Sequence, residues 1–131
     1  MNRTAHNPWT WSLPLGYNQA EEISGATRTL SIAGQTSVND SGAPVHGNDM
    51  RAQIIQSLDN LEAVLASAGM GLADITQLRI YATDVDSALA NFDVLGMRFG
   101  PVQAAPPMTL LGVTRLALAP LMFEIEATAA S

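Results

Sequence analysis

The chain has 131 residues, of which 47% are apolar and only 14% charged, against a usual charged share of about 25%. This excludes intrinsic disorder, and a single domain this short has little interior for so much apolar surface, so an oligomer is expected. The formal charge is -6, every basic residue is an arginine, and lysine and cysteine are absent, which excludes lysine Schiff bases, thiolate nucleophiles, disulfides and thiolate metal sites and argues against a basic nucleic-acid face.

One domain is expected over residues 1–131, with 1–15 as an N-terminal extension. Residues 1–17 hold no continuous apolar run, and nowhere is there a stretch near the roughly 20 apolar residues of a membrane span. A cytoplasmic protein that touches no membrane is the expectation. Trp9 and Trp11 lie two apart, so an extended segment would put both rings on one face; a packing or oligomer contact is the favoured use. A first strand is expected over 17–24, stopped by Gly25, and a second over 27–33, broken by Gly34. Asn39-Asp40-Ser41-Gly42, with Pro44 after it, signals a turn.

The first helix is expected over 49–68. Asn48 or Asp49 caps it, Ile54, Leu58, Leu61 and Leu65 form its stripe at spacings of three and four, and Gly69 stops it. Residues 75–83 read as a strand with Leu78 and Ile80 on one face and Gln77, Arg79 and Tyr81 on the other. A second helix, capped by Asp84 or Asp86, runs to about Phe99 with Val85, Leu89, Phe92 and Leu95 as its stripe. After a loop over 100–107 come strands at 108–113 and 121–128. The result is an α+β sandwich, a six-stranded sheet with two helices on one face.

Several chemistries have no carrier. Gly69, Gly71 and Asp74 follow a helix instead of opening one, so no phosphate loop is expected. There is no G-x-S-x-G elbow. His6 and His46 are far apart in expected loops, and no metal-binding spacing exists, so no metal is expected. The last strand is more informative. Alternation puts Met122, Glu124, Glu126 and Thr128 on one face, with Leu121, Phe123, Ile125 and Ala127 on the face under the helices. If copies of the chain close over the first face, a glutamate there loses water and its pKa rises toward neutrality, as a proton shuttle needs.

Between about residues 16 and 128 the chain resembles the RidA (YjgF) family. The resemblance is carried by Gly16-Tyr17-Asn18-Gln19-Ala20, Ser31-Ile32-Ala33-Gly34-Gln35, Gln56-Ser57-Leu58-Asp59-Asn60-Leu61, Ala68-Gly69, Asp74-Ile75, Tyr81-Ala82-Thr83-Asp84 and Phe123-Glu124-Ile125-Glu126-Ala127. It implies a chorismate-mutase-like fold and a homotrimer with a central barrel and three small-molecule pockets at the subunit clefts. It also implies cofactor-independent hydrolysis of enamines and imines, such as 2-aminoacrylate, to a keto acid and ammonia. By position, Tyr17 and Gly34 shape the pocket, Thr109 supplies a hydroxyl and Glu124 handles the attacking water.

The family's carboxylate-gripping arginine sits in a P-x-R-[ST] stretch. Here that stretch reads Pro106-Pro107-Met108-Thr109, and methionine offers no guanidinium fork. The loss of a charged hydrogen bond worth about 1.5–3 kcal/mol weakens carboxylate binding by roughly one to two orders of magnitude. Phe92 stands where an asparagine is common, Asn91 is one residue early, and one extra residue appears between Arg115 and Phe123, so the loop over 117–120 differs. The substrate expected is a larger or neutral enamine, imine or related compound, unless Arg98 or Arg115 replaces the missing cation. Two functions follow: a small-molecule hydrolase, lyase or tautomerase, or a non-catalytic trimer that binds a metabolite or partner. RNA cleavage fits the acidic charge poorly.

Overall fold

The computed structural model describes residues 1–131. In chain order the elements are β1 (Asn2–His6), β2 (Ala20–Ser24), β3 (Thr29–Thr36), α1 (Met50–Ser67), β4 (Ile75–Ala82), α2 (Val85–Ala90), α3 (Asp93–Phe99), β5 (Met108–Gly112) and β6 (Phe123–Ala130). The α+β class is as expected, but the six strands do not form one sheet. β1 and β2 make an antiparallel hairpin, and the other four run in the order β3-β6-β4-β5, with only β4 and β5 parallel. The division has a local cause. β2 spends its ladder on β1, and the connection to β3 pairs elsewhere: Thr27 and Arg28 donate their backbone N–H groups to the Ser131 carbonyl.

The hairpin also corrects the reading of the first 24 residues. Asn2–His6, expected to lie in an extension, is a strand, and His6 lies on it instead of in a loop. β2 begins at Ala20 instead of Tyr17 because a 3-10 turn over Leu13–Leu15 ends at Gly16, whose φ of 90° favours glycine. The Asn18 N–H then turns away to the Ala105 carbonyl, at 2.8 Å.

α1 follows its stripe. Asp49 caps it by accepting from the Ala52 N–H at 3.0 Å, and Gly69 at φ +71° turns the chain away. Ile54, Leu58, Leu61 and Leu65 are wholly buried against Leu78 and Ile80 of β4 and Phe123 and Ile125 of β6. Each such side chain contributes about 1.5–3 kcal/mol through burial. The same helix also carries polar residues inward, and two of them tie other elements to it. Gln53, fully buried, donates to the carbonyls of His46 and Pro120 and accepts from the Met122 N–H. Asn60 donates to the carbonyls of Thr36 and Val38. These bonds fasten the start of β6 and the end of β3 to one helix.

Two further boundaries differ from expectation. The second helix is two helices: Asn91 caps α2, its side chain donating back to the Ser87 carbonyl, and Phe92 sits in the break before α3. Gly34 does not end β3. The register steps from Ile32↔Ala127 to Gln35↔Ile125, so β3 carries an extra residue at 33–34 as a bulge.

Candidate functional site

Two regions carry the sequence-predicted site residues, and the sheet separates them. The face of the four-stranded sheet turned away from the helices presents Glu124 and Glu126 of β6, Arg79 and Tyr81 of β4, and Thr109 of β5. The register sets them side by side, Tyr81↔Glu124, Arg79↔Glu126 and Arg79↔Thr109. Tyr81 donates its phenol to the Glu126 carboxylate. That bond raises the Tyr81 pKa above its ordinary value, because ionising the phenol would break it and set two anions together. Glu124 accepts no such bond. Burial, and secondarily the negative charge of Glu126, hold its carboxyl above the usual carboxylate range.

Gly34 explains how Glu124 is seated. A Cβ on residue 34 would lie 2.1 Å from Glu124 Oε1 and 2.7 Å from its Cδ. The carboxylate therefore occupies the space that the missing side chain leaves, and the Ala33–Gly34 bulge brings that bare backbone beneath it. Gly34 and Glu124 form one unit of the site.

The second region is a cavity of about 290 Å³ on the helix side. Pro14, Leu15, Phe92, Leu95, Phe99 and Met108 give it its side-chain walls, with glycines and Ala104 between them and no polar side chain. Met108 opens β5 opposite Leu78, on the core side of the sheet. Phe92 reaches the cavity because it occupies the break between α2 and α3. Tyr17 follows the cavity residue Gly16 and is half-buried, its ring meeting that of Trp11 edge to face with centroids 6.1 Å apart.

Within one chain, then, Phe92 and Met108 share a cavity, Gly34 and Glu124 share the open sheet face with Thr109, and the two sets do not meet. Neither arginine considered as a substitute lines the cavity. Arg98 pairs with Asp59 and Glu62 of α1, and Arg115 donates to the Leu116 carbonyl in the loop before β6. No group of three or more His, Cys, Asp or Glu side chains is placed to hold a metal ion. His6 lies beside Glu22 at 3.2 Å. No helix is long and apolar enough to cross a membrane.

Sequence reasoning did not nominate Tyr81, Arg79, Gln53 or Asn60. For the first two, alternation had already put them off the core side of their strand; what was missing was that β4 lies beside β6. Gln53 and Ser57, polar residues one turn apart on the buried stripe of α1, were the signal for the third.

Residues 14–131 match the family described as Endoribonuclease L-PSP. A RutC family protein of Aquifex aeolicus is 33% identical over 87% of this chain and 86% of its own length. The chain belongs to the RidA (YjgF) family. Among solved structures, the Rid-family protein YyfB of Yersinia pestis is 39% identical, covers the whole of both chains and superposes with a TM-score of 0.85. TdcF of E. coli, solved with bound serine, is 27% identical over 88% of this chain and 87% of its own, with a TM-score of 0.70.

Proposed function

We propose that this RidA-family chain is a cofactor-independent hydrolase of enamines and imines, working as a homotrimer at clefts where the open sheet face of one copy meets the cavity mouth of another. The observation that carries this reading is Glu124: a carboxyl whose pKa burial and a neighbouring anion raise above the usual carboxylate range, seated on bare backbone, with Glu126 occupied by Tyr81. A carboxyl poised in this way serves as acid and base in turn. As acid it protonates an enamine carbon to give the protonated imine. As base it takes a proton from water while the water oxygen bonds to the imine carbon and the C=N electron pair moves to nitrogen. The proton then passes to nitrogen, and as the C–N bond breaks the carboxylate takes the hydroxyl proton, so that a carbonyl compound and ammonia leave and the carboxyl is restored.

The assembly is part of the proposal because one chain keeps Glu124 and Met108 on opposite sides of its sheet. The low charge content supports it, since a second copy would cover the exposed apolar side chains that composition requires to be hidden. Substrate preference follows from Met108. The serine held by TdcF carries a carboxylate, whereas the cavity here offers no cation to one. Thr109, Tyr17 and Phe92 shape the cleft around a neutral substrate. Three of the six arginines are committed to ion pairs, Arg3, Arg51 and Arg98, and no lysine is present, so RNA cleavage is disfavoured.

Ammonia release tests the reading with two substrates made in place by an oxidase: 2-iminopropionate, and the neutral imine of phenylacetaldehyde. The expected result is acceleration of the neutral imine above its spontaneous hydrolysis, loss of that acceleration in Glu124→Gln, and a roughly ten- to hundredfold gain on 2-iminopropionate in Met108→Arg. No acceleration of either imine by the folded protein would leave a non-catalytic binding trimer as the reading. Turnover of 2-iminopropionate equal to that of an arginine-bearing relative would remove the inference from Met108.

A further inference from the structure

The cavity has one wall that the family match barely includes. Pro14 and Leu15 belong to the turn Leu13–Leu15, at the point where the matched region begins. This turn is firmly held. The Gly16 N–H donates to the Leu13 carbonyl at 3.0 Å and the Asn18 N–H to the Ala105 carbonyl at 2.8 Å. Asn7 braces the segment from the far side: its side chain donates to Asn18 Oδ1 and accepts from the Gln19 N–H. The arm from β1 is thereby tied to the loop that leads into Met108. Leu15 stands at the mouth and keeps 66% of its surface exposed, so anything that enters the cavity covers it.

We propose that Pro14 and Leu15 are the specificity wall of this site, and that the cavity receives an uncharged hydrocarbon group of the substrate, up to roughly the size of a fused bicyclic ring. The size follows from the volume: a cavity of about 150 Å³ takes a benzene ring, and this one is about 290 Å³. The chemistry follows from the walls. A carboxylate drawn in here loses its water and finds no side-chain donor, whereas a hydrocarbon group gains from leaving water. The proposal rests on the reading that the cavity belongs to the reaction site, but its test reads binding alone, so each can fail without the other.

Calorimetric titration of the full chain with indole and with indole-3-acetate is the test. Indole should bind at least tenfold more tightly than its carboxylated analogue. Leu15→Ala should weaken indole severalfold, and Leu15→Arg should reverse the preference by giving the carboxylate a cation at the mouth; circular dichroism checks that both variants are folded. Three results would overturn the proposal: no indole binding at millimolar concentration, as when a neighbouring subunit's side chain fills the cavity; equal affinity for the two compounds; or Leu15 variants that, folded, leave both affinities unchanged. Indole binding without imine hydrolysis leaves this inference standing and removes the hydrolase reading.

Discussion

The four-stranded sheet has two faces made from the same strands, and they are built differently. Under α1, every side chain of the central strands is apolar and wholly or nearly out of water: Leu78, Ile80, Phe123, Ile125 and Ala127. On the other side, β4, β5 and β6 place residues that can donate, accept or titrate, Arg79, Tyr81, Thr109, Glu124 and Glu126, beside the exposed Leu111. The first face holds the fold together by area removed from water. The second contributes little to stability and keeps its charges only half covered. Consecutive residues therefore differ in kind of role, and adjacent substitutions separate the two faces.

The largest difference is expected between Ile80 and Tyr81. Ile80→Ala empties a fully buried site and should cost about 2–5 kcal/mol in urea unfolding, whereas Tyr81→Phe, which loses one half-exposed hydrogen bond, should cost about 0.5–1.5 kcal/mol. Equal losses would show that the open face is packed as tightly as the core. Next comes Gln53. Gln53→Ala leaves the Met122 N–H and the Pro120 and His46 carbonyls without their partner, an expected loss of about 1–3 kcal/mol by the same measurement. An unchanged midpoint would mean that water replaces the side chain at no cost.

Gly34→Ala sharpens the contrast in the opposite sense. The atoms nearest the added methyl belong to the flexible Glu124 side chain, which can move aside, so stability should fall by less than about 1 kcal/mol. Under the proposed chemistry, however, displacing that carboxylate by about an ångström should slow ammonia release by roughly a hundredfold. Full activity would separate Glu124 from the reaction. The smallest effect belongs to pH. The Glu124 pKa is raised in the folded state, so the folded form prefers the proton. The stability from that preference is complete below the ordinary carboxyl range and is lost as pH rises through the elevated pKa. Glu124→Gln should therefore melt above the wild type at about pH 8 and level with it at about pH 4. A lower melting temperature at the higher pH would show that the ionised carboxylate is stabilising.

Much of this arrangement was legible before the structure. The stripe of Ile54, Leu58, Leu61 and Leu65 and the cap at Asp49 fixed α1 almost to the residue, because helix periodicity and capping are local. The sidedness of Glu124 and Glu126 was equally local. What could not be read was pairing. Nothing near Ala20–Ser24 states that its partner is Asn2–His6 and not Thr29–Thr36, and the ladder of β4 against β6 depends on contacts some 45 residues apart in the chain. The separation of Met108 from Glu124 by the sheet has the same origin: strand alternation assigns each residue a side, but only the neighbour order says which side of which strand. Asn91 ended α2 through a bond to the Ser87 carbonyl that a longer apolar stripe had masked.

The bulge in β3 carries a consequence for how this protein can vary. Because strand side chains alternate, the one surplus residue at 33–34 lets Ile32 face inward while Thr36 stands beside Glu124. Deleting one residue there would reverse the orientation of all that precedes it or all that follows. Substitution along this strand is open to drift, but its length is not, and an alignment of close relatives that preserve the same inward residue and the same seated carboxylate should be free of gaps between them.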